Sequence, residues 1–222
     1  MGKVALITGG TGGIGKAIVA KFESQNHTVI HPTRKELDLS SIQSINNYLK
    51  TIQVDEIDII INNAGINELS SIEDLKIDDL LNVIQTNCVS ALILTQALLS
   101  SFKEKQFGRI VNIGSIWTER SFPMRGSYSM SKRALQAMTN MIAVENASHN
   151  ILCNMVSPGF IETELTFKNN TPEQLSKFLE KVPLKKMGKP EDVAALVYFL
   201  CIDNNFITGQ NLFIDGGYTC SA

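Results

Sequence analysis

The stretch VALITGGTGGIG, Val4 to Gly15, decides the fold. Val4 to Thr8 is a short apolar run of strand character. It breaks into a glycine cluster. A helical pattern follows, with Ile14, Ala17, Ile18 and Phe22 on one side. The next apolar run, HTVIH (His27 to His31), reads as a second strand. Strand, glycine loop, helix and strand within about 30 residues make a βαβ unit. Gly9, Gly13 and Gly15 punctuate the turn. Glycines there allow a tight turn and a close approach of backbone to a pyrophosphate. The helix that follows offers free N–H groups and the positive end of its dipole to phosphates. Gly9, Thr11, Gly12, Gly13 and Ile14 are therefore candidate contacts of a dinucleotide.

The pattern repeats outward from that unit. IDIIINNAG (Ile57 to Gly65), GRIVNIG (Gly108 to Gly114), ILCNMVSPG (Ile151 to Gly159) and NLFIDGG (Asn211 to Gly217) are further strands. The continuous apolar character of the first of them suits a buried parallel strand. Leu80 to Phe102, Tyr128 to Ala147 and Glu191 to Leu200 read as helices, the last with Pro190 in its first turn. Strands alternating with helices predict an α/β protein: one Rossmann-type domain over residues 1–222, its doubly wound parallel sheet covered by helices on both faces. Between HTVIH and IDIIINNAG the chain is short. ELDL is read there as a reduced third strand, and Ser40 or Ser41 as the cap of a helix holding Ile42, Ile45 and Leu49. The polar stretch of about 163–187 is read as a substrate-covering loop after a strand end.

Composition narrows the partners. Lys+Arg 20 against Asp+Glu 22 gives a net charge of −2, with no basic run for nucleic acid or a membrane surface. The cysteines Cys88, Cys153, Cys201 and Cys220 are scattered, without metal spacing. They suit reduced thiols and a cytoplasmic protein. No signal-peptide pattern opens the chain, and no apolar stretch is read as approaching the roughly 20 residues that span a bilayer.

The end of the second strand bears on which dinucleotide fits. NAD sites place an acid about 20 residues beyond the glycine turn. This chain has HPTRKELD, with Thr33 at that position and Arg34 after it. A guanidinium pairs with a 2′-phosphate. NADP(H) is therefore favoured over NAD(H).

YSMSK, Tyr128 to Lys132, puts a phenol and an ammonium on one helical face. With TGGTGGIG, NNAG (Asn62 to Gly65), Ser115 and SPGFIET (Ser157 to Thr163), in that order, the chain resembles the short-chain dehydrogenase/reductase superfamily in its single-domain form. ITGQNLFIDGG (Ile207 to Gly217) extends the likeness to nearly the whole chain. Within that family it looks most like the 3-oxoacyl thioester and acetoacetyl-CoA reductases.

The resemblance implies roles. Tyr128 matches the catalytic acid/base. Lys132 matches the lysine that binds the nicotinamide ribose and lowers the phenol's pKa. Ser115 matches the serine bonded to the substrate carbonyl, and Asn87 the helix asparagine that completes a proton relay. Asp38 and Leu39 match positions beside adenine. Asn63, Ala64 and Gly65 match the stretch along the adenosine ribose, and Ile161 and Thr163 match residues near the carboxamide. Gly114 stands where many relatives have serine, and is read as of little consequence. A homotetramer is implied, with a dimer as the lesser form, through the Leu80 to Phe102 helix and the Tyr128 helix.

The activity implied is interconversion of a carbonyl and a secondary alcohol by hydride transfer, on a small molecule or an acyl thioester. Alternatives are a reductase or dehydrogenase of a sugar or secondary-metabolite intermediate, and, from another class, a non-catalytic NADPH-binding sensor. Between Ser115 and Tyr128, Trp117, Phe122 and Met124 are candidates for an apolar wall. Arg120 and Arg125 face either an acidic substrate or carrier, or water.

Overall fold

In the computed structural model, residues 2–221 are described. Six strands form one parallel sheet: β1 Val4–Ile7, β2 Thr28–Ile30, β3 Ile59–Asn62, β4 Gly108–Ile113, β5 Ile151–Pro158 and β6 Asn211–Ile214. Their order is β2-β1-β3-β4-β5-β6. Helices α1 Gly13–Glu23, α2 Ile42–Leu49, α3 Ile77–Ile84, α4 Ser90–Lys105, α5 Gly126–Asn146, α6 Glu164–Lys168, α7 Pro172–Lys181 and α8 Pro190–Ile202 lie between them.

Strand alternation separates two cores. Ala5, Ile7, Ile59, Ile61, Val111 and Val156 face α1 and α8, where Ile18, Phe22, Val193 and Val197 are fully or almost fully buried. Leu6, Ile60 and Ile110 face the opposite way, onto Ile45 of α2, Leu94, Leu98 and Phe102 of α4, and Ile142 of α5. Successive strand side chains point to opposite faces, so all-apolar strands need helices on both. The registers Leu6 with Ile60 and Ile60 with Ile110 keep each face continuous.

Chain order reverses direction between β1 and β3. The carboxyl ends of these strands, Thr8 and Asn63, therefore open a crevice, the place where such sheets bind ligands.

Three expectations change. ELDL is not a strand. Thr33 to Leu37 forms a turn in which Glu36 accepts from the Thr33 backbone and hydroxyl, and the Asp38 backbone N–H donates to Ser44 Oγ instead of a neighbouring strand. Leu37 and Leu39 are buried in the α2-side core, so the apolar pattern is real while the backbone pairing is not. The sheet ends at β2, and Ser41, not Ser40, caps α2 by accepting from Ser44 N.

The second change concerns α3 and α4, which join into one helix, Ile77–Lys105. It is long and apolar enough to cross a bilayer by length and composition. Thr86, Asn87 and Ser90 hide this in the sequence by breaking the apolar run. Here the helix packs on the sheet, with Leu94, Leu98 and Phe102 fully buried. The third change lies inside it. Gln85–Val89 is a π-helical turn, a device that re-aims side chains and frequently marks functional sites.

Candidate active site

The glycine turn is fixed from the far side of the crevice. Gly9 has φ +67, in the left-handed region open to glycine. A Cβ on Gly15 would lie 2.1 Å from Gly9 O, so the first turn of α1 packs directly on the loop. Asn63, one residue past β3, donates Nδ2 to Thr8 O and Gly9 O at 3.0 and 3.1 Å. The Thr8 hydroxyl accepts from Asn63 N and Ala64 N, both at 3.1 Å. Thr8 was not singled out from the sequence. Its hydroxyl at a strand end, facing the neighbouring strand's exit, was the available signal.

These loops bound a cavity of about 510 Å³. Gly9, Thr11, Gly12, Gly13 and Ile14 line one side, and Asn63, Ala64 and Gly65 another. Ser115, Tyr128, Lys132 and Ile161 line the far end, and Thr163 lines the cavity beside the glycine turn, its Cγ2 3.4 Å from a Cβ placed on Gly13. A second cavity of about 170 Å³ adjoins it through Gly9, Thr11, Ala64 and Gly65, and is lined by Arg34, Leu37, Asp38, Leu39 and Thr86. Every residue expected to contact cofactor lines one of the two. Asn63 does so while its amide is committed to the glycine loop. Arg34 is exposed, and its charge helps hold the Asp38 carboxyl below its usual pKa, after the hydrogen bonds from Ser40.

A dinucleotide fits this pair of cavities by their chemistry. The glycine loop leaves backbone open, with nothing within 4 Å of a Cβ placed on Gly12. The buried Thr86 Oγ1 has no hydrogen-bond partner among the described residues, and Thr86 lines the smaller cavity. A buried hydroxyl without a partner is costly, and a heteroaromatic base or ribose is a suitable one.

At the far end, Ser115 follows β4 by two residues and its hydroxyl accepts from Trp117 N at 3.3 Å. Tyr128 lies in the first turn of α5, and Lys132 one turn on. Lys132 Nζ donates to Ile113 O at 2.6 Å and lies 5.6 Å from the centre of the Tyr128 ring. Burial pulls the Lys132 pKa down to about 8. Burial also pushes the Tyr128 phenol above its ordinary value; a hydrogen bond with Ser115 and the charge of Arg125 act against it. The lowering that the family resemblance implied is not seen, because desolvation of the phenolate outweighs the nearby donors and cations.

Asn87 lines neither cavity. Its Oδ1 accepts from Ile66 N at 2.8 Å, and its Nδ2 donates to Ile66 O and Ser131 Oγ. It nevertheless borders Lys132 across Gly65: a Cβ on Gly65 would lie 3.2 Å from Asn87 Oδ1 and 3.5 Å from Lys132 Nζ. Ser131, on α5, joins that helix to the π-turn by accepting from Asn87 Nδ2, while its own hydroxyl donates to Tyr128 O. No role had been read for it, and its place before Lys132 was the signal available.

The neighbourhood of Ser115 carries further corrections. Gly114 is not incidental: a Cβ there would lie 2.4 Å from Ser157 Oγ. Trp117 and Phe122 form a wall with Phe160, Phe178 and Tyr218, whereas Met124 is exposed. Arg120 ties down the C-terminal segment through the carbonyls of Thr219 and Ser221. Arg125 is buried and donates to Asn169 O and Asn170 Oδ1.

A doubly wound sheet with a glycine turn, a dinucleotide-sized crevice and a Ser/Tyr/Lys group at one end defines a nicotinamide-dependent oxidoreductase. Comparison with known proteins agrees. A family model described as enoyl-(acyl carrier protein) reductase matches residues 15–219. The chain is 35% identical to the 3-oxoacyl-[acyl-carrier-protein] reductase FabG of Haemophilus influenzae, over 97% of this chain and 98% of that one. It is 35% identical to the enzyme of the same name from Aquifex aeolicus, over 97% of each. A solved structure of 4-hydroxyisoleucine dehydrogenase complexed with NADH superposes with a TM-score of 0.92 at 31% identity, covering 99% of this chain and 100% of that one. The chain belongs to the short-chain dehydrogenase/reductase family. It is an NAD(P)-dependent oxidoreductase interconverting carbonyls and alcohols, and it resembles the 3-oxoacyl-ACP reductases.

Proposed function

We propose that the chain is an NADP(H)-dependent carbonyl reductase in which Tyr128 exchanges the proton, Ser115 holds the carbonyl oxygen, and Lys132 and Asn87 position the phenol. The observation that carries this is the convergence of Ser115, Tyr128 and Lys132 at one end of the large cavity, with the glycine turn at the other. The nicotinamide supplies a hydride when bound.

The protein's own groups handle the oxygen. A phenol raised by burial keeps its proton near neutral pH, which suits a donor to a developing alkoxide. The Ser115 hydroxyl beside it is a second donor, and two fixed donors at a developing oxyanion form an oxyanion-type pair. Lys132, anchored on Ile113 O, holds positive charge behind them. Segment 163–187, folded as α6 and α7, serves as the substrate cover: Leu165, Thr166 and Lys168 line the large cavity.

Arg34 supports NADP(H), since it is exposed at the smaller cavity and has no carboxylate within 4.0 Å among the described residues. That leaves a guanidinium free for a 2′-phosphate. Fluorescence titration tests this. NADPH should bind more tightly than NADH, and Arg34→Ala should remove the difference. Equal or better NADH binding by the unaltered protein overturns it. Exposed apolar side chains on the α3 and α5 surfaces, including Leu81, Met141 and Val144, support a homotetramer assembled through these helices.

A further inference from the structure

Beyond Tyr128 and Ser115 lies a smaller cavity of about 90 Å³, lined by Asn67, Ser115, Trp117, Arg125, Tyr128 and Asn170 among others. Two of its polar groups are only partly satisfied by the fold: the Arg125 guanidinium, which also lies 6.0 Å from the centre of the Trp117 ring, and the Asn67 amide. Arg125 is only 5% exposed, and no carboxylate lies within 4.0 Å of it among the described residues. Its described side-chain hydrogen bonds all leave from Nη2, to Asn169 O at 3.2 Å and Asn170 Oδ1 at 2.9 Å. Neutral acceptors do not balance a buried guanidinium, and buried charges are normally paired. Asn67 Oδ1 is buried and has no donor among the described residues.

Resting on the carbonyl-reductase reading above, we infer that the substrate carries a carboxylate held by Arg125, with Asn67 Oδ1 accepting from a hydroxyl or amino group of the same molecule. The occupant is then a short oxo acid or hydroxy acid, not an acyl chain on a thioester. Size supports this. The cavity's volume of about 90 Å³ suits a short molecule, and Trp117 and Phe160 in its wall are backed by Phe178, stacked on Phe160 at 4.8 Å. Charge supports it as well. Among the described residues Arg125 is the only Lys or Arg lining this cavity, and one guanidinium balances a carboxylate but not a phosphate dianion. Arg125 lies three residues before Tyr128, so a carboxylate bound there holds a nearby carbonyl against the phenol and Ser115.

The test follows NADPH absorbance with a panel of short oxo acids and their methyl esters. The unaltered enzyme should use the best acid with kcat/KM about 100-fold above its ester, the range set by a buried charged pair. Arg125→Gln should bring that ratio near one, mainly through KM for the acid, the loss for the acid exceeding any loss for the ester by about 100-fold. A role confined to holding Asn169 and Asn170 in place would lower both alike. Should Arg125→Gln not fold, competition in the unaltered enzyme decides: malonate should inhibit and dimethyl malonate should not. Equal use of acids and esters, or equal inhibition by both malonates, overturns the inference and leaves the reductase standing. Reduction of an acetoacetyl thioester alongside none of the acids also overturns the inference and leaves the reductase standing.

Discussion

Lys132 Nζ donates to the carbonyl oxygen of Ile113 at 2.6 Å, tying the second turn of α5 to the last residue of β4. Two residues further along the chain is Ser115, and one turn back along α5 is Tyr128. A single hydrogen bond at the sheet edge thus sets the spacing between the helix that carries the phenol and the strand that delivers the serine. The lysine is only 2% exposed and has no carboxylate partner among the described residues.

That burial has a pH signature. Folding lowers the Lys132 pKa from 10.5 to about 8. Between those values the unfolded chain binds more protons than the folded one, so this group's contribution to stability rises with pH across the window. Below pH 8 the full cost of the buried charge is present. In thermal melts of the cofactor-free protein, the Tm of Lys132→Met minus that of the parent should fall as pH rises from 8 towards 10.5. A difference independent of pH there contradicts the assignment.

Gly114 is held glycine by packing. A serine Cβ at this position would meet Ser157 Oγ at 2.4 Å and Met155 Cε at 2.9 Å. Gly114→Ser should cost about 1–3 kcal/mol in urea unfolding, the usual cost of overpacking. Adding Ser157→Ala should recover part of it, since it removes the nearer atom.

Ser41 and Ser40 are neighbours with different duties. Ser41 Oγ accepts from Ser44 N and caps α2. Ser40 is exposed and donates to Asp38. Ser41→Ala should cost about 1 kcal/mol and lower Tm by about 2–4 °C. Ser40→Ala should change Tm by less. The reverse order would show the cap misplaced.

Much of the fold was legible because its signals are local. Val4 to Gly15 carries strand, turn and helix in one run, and the all-apolar strands require a sheet covered on both faces. ELDL misled because burial of Leu37 and Leu39 and pairing of their backbone produce the same pattern. Only the Asp38 to Ser44 hydrogen bond separates them. The π-turn at Asn87 leaves no trace in periodicity, since one inserted residue shifts a helical face by less than the spread of an apolar arc. Thr8, Thr86, Ser131 and Asn67 were hidden for a common reason. Each matters through a partner, or the lack of one, on an element far away in sequence, and single-chain spacing does not report it.

The central claim is that the Tyr128 phenol exchanges the proton of the reaction. Tyr128→Phe keeps the ring that lines both substrate cavities and removes only the hydroxyl. The account predicts unchanged folding, NADPH affinity within a few-fold of the parent, and carbonyl reduction lowered by about 100- to 10,000-fold, the contribution of a positioned general acid. Turnover within a few-fold of the parent, at undiminished NADPH binding, would contradict it.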